Sequence, residues 1–307
     1  MTNWHSDHLV IQPEVNEALE KGAPIVALES AVITHGLPYP DNEKLANNLE
    51  EIIRGKDCIP ATIAILNGVI RIGLDGVELG WLAQAKEMIK ISSRDIAGAV
   101  LQRKSGGTTV AGTLAIARQV GIRVFATGGI GGVHRQAAID VSADLGQLAD
   151  AQLVVICAGA KAILDIPATL EVLETYGVPV VGYGTDDFPA FYSVSSGEKV
   201  SIRLDNAREV AQLARLHWEI GRLSSILVVV APPREVALES RVVEEAIQKA
   251  LEEARQAHVK GQAVTPYLLG RVNAISGGAS LRANLGLLHN NARVAAEIAR
   301  YLPSKRR

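Results

Sequence analysis

The chain has 307 residues, 48% hydrophobic and 21% charged, enough for one large α/β domain or two small ones. A formal net charge of −2 provides no global field toward nucleic acid or an anionic membrane, and aromatics at 4% are too sparse for base-stacking platforms. No apolar run reaches the length of a membrane span, and Met1 to His8 lack the basic and apolar regions of a signal peptide, so a cytoplasmic protein is expected. Cys58 and Cys157 stand far apart without CxxC spacing, which predicts neither a zinc site nor a disulfide framework.

Pro13 to Lys21 reads as a helix opened by proline at its first position. Pro24 to Ser30 is an apolar, buried strand, and Asp41 to Arg54 has helical spacing with polar outer positions. Ala61–Leu66 and Val69–Leu74 flank Asn67-Gly68, a strong hairpin signal. Asp75 to Glu87 and Ser93 to Lys104 predict helices, each opened by a capping residue. Val124–Thr127 and Leu153–Ala158 read as strands, separated by a glycine turn and a helix near Ala143 to Ala149. Ile166 to Tyr176 is a helix stopped by Gly177 and Pro179, and Val180–Tyr183 is another strand. Ala207 to Gly221 is helical, Ile226–Val230 a strand, and Glu235 to His258 a long helix, followed by helices over Thr265–Ile275 and Ser280–Tyr301. Strands alternating with helices predict a three-layer α/β/α sandwich, and the hairpin makes its central sheet mixed. Without a Pro/Ser-rich linker or internal repeat, residues 1–307 read as a single domain, with Ala231-Pro-Pro-Arg as the one candidate hinge.

Residues 124 to 161 carry the densest chemistry: a glycine-rich turn, Asp140, Asp144 and Lys161 all stand where apolar runs end. In open α/β sheets ligands gather at such strand ends. Glu29 closes Ile-Val-Ala-Leu-Glu-Ser; desolvation there raises a carboxyl pKa and suits a proton donor, although a strand-end acid also commonly accepts backbone N–H bonds. Lys161 follows Val-Val-Ile-Cys-Ala-Gly-Ala and offers an amine nucleophile for a carbonyl carbon, or alternatively a stem lying on apolar surface with its head in water. Asp140 and Asp144 flank Ser142 at a helix start, a pattern that suits either a water-rich divalent cation site or simple N-capping. Lys90 and Gly106-Gly-Thr-Thr-Val-Ala read as a second anion cradle at a helix start. The turn Thr127-Gly-Gly-Ile-Gly-Gly-Val-His134 is no dinucleotide fingerprint, because from Gly129 the last required glycine falls on His134. Asn284, Asn290 and Asn291 share one predicted helix; an amide there matches a nucleobase edge or faces solvent.

Together these segments resemble the pseudouridine-5′-phosphate glycosidase family, which includes proteins named for indigoidine synthesis. The motifs are Ala27-Leu-Glu-Ser, Thr34-His-Gly-Leu-Pro, Pro60-Ala-Thr-Ile-Ala-Ile, Gly107-Thr-Thr-Val-Ala, Phe125-Ala-Thr-Gly-Gly-Ile-Gly-Gly-Val-His-Arg, Asp140-Val-Ser-Ala-Asp-Leu, Cys157-Ala-Gly-Ala-Lys, Gly177-Val-Pro-Val-Val-Gly-Tyr and Thr265-Pro-Tyr-Leu-Leu. The resemblance implies an α/β/α fold, a homotrimer and reversible cleavage of pseudouridine 5′-phosphate to uracil and ribose 5-phosphate. It implies that Lys161 bonds to ribose C1′, that Glu29 donates a proton, and that Asp140 holds one manganese ion largely through water. Lys90, Val110, Ser142, Ala143 and Asp144 would line the phosphosugar site, and Thr127, Gly129, His134 and Asn284 would face the base. One segment departs from the family pattern: Gln136-Ala-Ala-Ile stands where the family has a longer loop with Gly-Ala-Glu. Two other readings fit an α/β/α phosphate-handling protein. A ribokinase-like kinase would need a Gly-Ala-Gly-Asp anion hole, which the sequence lacks; a non-catalytic phosphosugar-binding protein leaves the co-occurrence of Glu29, Asp140 and Lys161 unexplained.

Overall fold

The computed structural model describes residues 8–135, 140–259 and 264–304. A short strand β1 (Leu9–Ile11) leads into helix α1 (Pro13–Lys21), which Gly22 ends in the left-handed conformation at φ 67°. Strand β2 (Ile25–Leu28) is buried on both faces; α2 (Ala31–His35) and α3 (Asp41–Arg54) carry the chain to β3 (Ile59–Leu66). The hairpin to β4 (Val69–Ile72) turns on Asn67 and Gly68, both at positive φ (51° and 79°), which the sharp two-residue turn requires. Asp75 and Glu78 then form a reciprocal capping box at the start of α4 (Gly76–Gln84).

The predicted helix from Ser93 divides into a 3-10 turn (Ser93–Asp95) and α5 (Ile96–Leu101), which follow β5 (Ile89–Ile91). The Gly106-Gly-Thr segment, expected to open a helix, is instead strand β6 (Gly106–Thr108), and α6 (Val110–Val120) begins two residues later. A side chain at Gly107 would collide with the Ser30 carbonyl, so glycine lets this strand lie flush on the end of β2. Next come β7 (Val124–Ala126), β8 (Val133–His134), α7 (Ala143–Leu148), β9 (Val154–Cys157), β10 (Leu164–Asp165), α8 (Ile166–Thr175), β11 (Val180–Tyr183) and β12 (Ile202–Leu204). The C-terminal part holds α9 (Ala207–Glu219), β13 (Ile226–Val229), α10 (Ser240–Gln256), α11 (Val264–Ile275) and α12 (Ala279–Ala299). The long helix expected from Glu235 starts only at Ser240: residues 233–237 close a single turn on the Pro233 carbonyl, and Glu239 is extended (ψ 131°) before the helix begins.

Eleven strands form one mixed sheet, in the order β1-β4-β3-β2-β7-β9-β13-β11-β12, with β6 joined to β3 and β5 to β6. From β3 to β12 all neighbours run parallel, whereas β3 is antiparallel to β4 and β6. The continuous apolar runs of β2, β7, β9 and β13 follow from this, since helices cover both faces of a parallel sheet. α12 touches α3 and α9 and lies over β2, β7 and β9; α6 and α7 touch each other, and α6 lies against β2 and β3. The result is the expected three-layer α/β/α sandwich. A smaller apolar cluster of Ile33, Leu66, Leu74, Leu79 and Leu82 fills the space under α2 and α4. Among the described residues, no helix is long and apolar enough to cross a membrane.

Candidate active site

After β2 the chain moves to β3 on one side, while β7 joins β2 on the other, so the sheet has a topological switch between β2 and β7. A crevice opens at the carboxyl ends of strands at such a point. The residues there are Glu29, directly after β2, and Thr127, directly after β7; Lys161 stands a short turn beyond β9. Strand register brings them together, because Leu28 pairs with Ala126 and Ala126 with Ile156.

Thr127 donates its hydroxyl hydrogen to Glu29 Oε1. Burial pushes the Glu29 carboxyl above the usual carboxylate range; the Lys161 ammonium and the Thr127 hydroxyl pull it back, Asp144 adds to the rise and Lys90 opposes it. Burial likewise lowers the Lys90 ammonium, helped by Lys161 and opposed by Glu29 and Asp144. Four ionisable side chains from four separate segments therefore sense one another at one place.

The glycine turn is zipped onto the segment that carries Lys161. Ala158 N–H donates to the Gly128 carbonyl at 2.8 Å, Ile130 N–H to Gly159 at 3.0 Å, and Lys161 N–H to Ile130 at 3.0 Å. Glycine at 129 admits the Phe191 ring, whose carbons would lie 2.6 Å from an added Cβ, and Gly159 at φ 88° passes under the Pro189 carbonyl. The amine of Lys161 thus hangs from a backbone fixed on both sides.

Asp144 is buried, and its two carboxylate oxygens accept from Ala111 N–H at 2.9 Å and Gly131 N–H at 2.8 Å. It joins the first turn of α6 to the glycine turn. Thr109 caps α6 by accepting from Gly112 N–H, and Val110 stands at the first position of that helix. Ser142 caps α7 by accepting from Asp144 N–H at 3.2 Å, so the capping reading of this segment holds. Ala143 is exposed at the first position of α7. Lys90 in β5 is paired with Gly107 of β6, next to the start of α6. A cavity of ≈ 610 Å³ adjoins it, with His35, Arg94, Gln102 and Lys104 in the wall. Asp95 also lines it and pairs with Arg94 at 3.6 Å, so Lys90 and Lys104 supply the net positive charge that favours an anion there. Behind the cradle, Ser30, Thr108 and Thr113 form a buried hydroxyl network: Ser30 and Thr108 both donate to the Ile63 carbonyl, and Thr108 meets Thr113 at 2.9 Å.

The remaining expected site residues are placed less tightly. His134 lies in β8, where its N–H donates to the Asp140 carbonyl at 2.9 Å and its strand partner is Leu164. Asp140 is exposed. The segment 136–139 lies outside the described residues. Asn284 is partly buried on α12, about two turns before Asn291 and on the same stripe of the helix. Asn291 is 1% exposed and donates to the carbonyls of Thr127 at 2.8 Å and Gly128 at 3.3 Å. The sequence drew attention to Asn291 without assigning it this place. It carried no signal for Phe191, whose backbone sits at φ 62°, an uncommon conformation for an aromatic residue.

Residues 14–301 match the family model described as indigoidine synthase A-like protein. The chain belongs to this family. Similar proteins include the pseudouridine-5′-phosphate glycosidases of Solibacter usitatus, 49% identical over 96% of this chain and 99% of the relative, and of Geobacillus kaustophilus, 50% identical over 97% and 99%. Among solved structures, a prealnumycin C-glycosynthase in complex with ribulose 5-phosphate superposes with a TM-score of 0.89 at 39% identity, covering 97% of each chain. An indigoidine synthase A-like protein of Thermotoga maritima also reaches 0.89, at 36% identity over 97% of this chain and 98% of the other.

Proposed function

We propose that this family member cleaves the C–C glycosidic bond of pseudouridine 5′-phosphate, reversibly, to uracil and ribose 5-phosphate, through an imine on Lys161. The observation that carries the reading is the meeting of Glu29 and Lys161 at the switch point, where Asp144 of α7 also binds the first turn of α6. The near-full-length relatives named for this activity support it. The C-glycosynthase neighbour is in complex with a five-carbon sugar phosphate, ribulose 5-phosphate, which is in keeping with this reading.

In this mechanism Lys90, the N–H of Val110 and the start of α7 (Ser142, Ala143 and Asp144) hold the phosphosugar. That remote grip aligns C1′ with the lysine amine. The Lys161 nitrogen forms a bond to C1′ as the bond from C1′ to the ring oxygen breaks, and Glu29 gives its proton to that oxygen. The Glu29 carboxylate takes a proton from the resulting ammonium; the restored nitrogen lone pair then forms the protonated imine as the bond to uracil C5 breaks and C5 takes that proton. Water adds to the imine, and departure of the amine releases ribose 5-phosphate. Covalent capture divides one difficult cleavage into smaller steps. Thr127, Gly129, His134 and Asn284 face the base in this reading.

Asp140 suits a hard cation held mostly by water: it offers a single exposed carboxylate, and no group of three or more His, Cys, Asp or Glu among the described residues encloses an ion. We assign it one manganese ion, which when bound supplies positive charge near the phosphosugar. The homotrimer and the cytoplasmic location also belong to this reading; sedimentation equilibrium tests the first.

The deciding experiment is product analysis by mass spectrometry after adding pseudouridine 5′-phosphate and Mn²⁺. Uracil and ribose 5-phosphate are expected, and borohydride with ribose 5-phosphate should leave a reduced pentose phosphate on Lys161. Intact substrate, or an adduct on a different lysine, overturns the assignment.

A further inference from the structure

Asn291 is costly where it stands. Asparagine is a weak helix former, and this one sits inside α12 among the buried residues Leu287, Leu288, Ala292, Val294 and Ala295. Its Oδ1 is buried and has no hydrogen-bond partner among the described residues, so the amide leaves one polar atom unsatisfied there. The orientation is imposed by its other end, where Nδ2 spans the carbonyls of Thr127 and Gly128. Reversing the amide would set Oδ1 against two carbonyl oxygens.

The first of those carbonyls belongs to Thr127, whose hydroxyl donates to Glu29, and the second to the next residue. Gly128 O already accepts from Ala158 N–H, whereas Thr127 O, among the described residues, accepts from the Asn291 amide. The surroundings hold the same turn from other directions: Leu288 lies 3.2 Å from where a Cβ on Gly128 would be, the Phe191 ring covers Gly129, and Asp144 takes Gly131 N–H. We infer that Asn291 is a positioning residue for proton transfer: by holding the Thr127 carbonyl it fixes the direction of the Thr127 hydroxyl toward Glu29.

This inference rests on Glu29 being the proton donor of the proposed reaction. The groups facing Glu29 are Lys161, Thr127, Asp144 and Lys90. The Thr127 hydroxyl stabilises the charged form of Glu29, so loosening it moves the carboxyl further upward. Cleavage needs Glu29 protonated, so the alkaline limb of kcat then moves to higher pH.

The test uses the full chain with Mn²⁺ and pseudouridine 5′-phosphate, measuring kcat, KM and their pH profiles for Asn291→Leu, Thr127→Val and the double variant. Asn291→Leu matches the shape and removes the amide. Expected are a kcat lower by about tenfold to a hundredfold with KM nearly unchanged, an alkaline limb displaced upward as in Thr127→Val, and a double variant no slower than Thr127→Val alone. Multiplying losses in the double variant, or a limb that stays in place in Asn291→Leu while only its melting temperature falls, overturn the inference. If Asn291→Leu does not fold, Asn291→Ser carries the same cycle with the same two outcomes. A wild-type protein that cleaves nothing removes the proposed function and this inference together, whereas failure of the cycle in an active wild type removes only the inference.

Discussion

Glu29 shows how one side chain takes its chemistry from its neighbours. The strand-end position alone left open whether this acid served chemistry or backbone capping. The structure gives it a hydroxyl donor in Thr127 and three charged neighbours, with burial as the dominant influence. Glu29→Gln is expected to lower kcat by about 10²- to 10⁴-fold and to abolish the alkaline limb of the rate profile, as followed by uracil release. Linkage gives a second prediction with the opposite sign for stability. A carboxyl raised in the folded state contributes stability that is full below its unfolded pKa and is lost as pH rises through its folded pKa. Glu29→Gln is therefore expected to melt higher than the wild type at neutral pH, with the difference vanishing at acid pH, as read by calorimetry across pH. A melting temperature unchanged at every pH would contradict the burial argument.

At the scale of elements, the site is a set of turns and helix starts pressed together. Gly129 leaves room for the Phe191 ring, and Phe191 cannot easily yield because its N–H is bonded to the Ala158 carbonyl. Gly129→Ala is expected to cost about 1–3 kcal/mol by overpacking, measured by urea unfolding, together with lost activity because Thr127 sits on the same turn. Asp75→Ala provides the contrast. Losing the cap of α4 is expected to cost about 1 kcal/mol with kcat unchanged, since α4 packs on α2 and α3 away from the strand ends. The caps of α4 and α7 were legible because a capping residue acts on its own next turn. The division of residues 93–101 and the strand at Gly106 were not. They depend on β5 and β6 pairing with each other and on a close approach to Ser30, which are contacts between distant parts of the chain.

Across the whole molecule, the layers bury both thiols, Cys157 inside the sheet and Cys58 just before β3, under α12. Cys157 ends β9 and Cys58 donates to the Ala296 carbonyl; burial pushes them up to about 12 and about 11 respectively. Neither is expected to react with iodoacetamide at pH 8 while folded, and both should be alkylated after denaturation, which intact-mass spectrometry reads directly. Rapid labelling of Cys157 in the native protein would show that the sheet opens locally at the site.

The sequence by itself determined the layered α/β/α class, the Asn67-Gly68 hairpin and the candidates Glu29, Lys161 and Asp144. Apolar runs, turn residues and caps act over a few positions, and the family motifs are linear. Only the tertiary structure decided that β2 and β7 are neighbours at a switch point, that Asp144 clamps α6 to the glycine turn, and that Asn291 faces inward rather than to solvent. Each of these depends on which distant strands pair and which helix lies over them, and no local pattern in the chain encodes that choice.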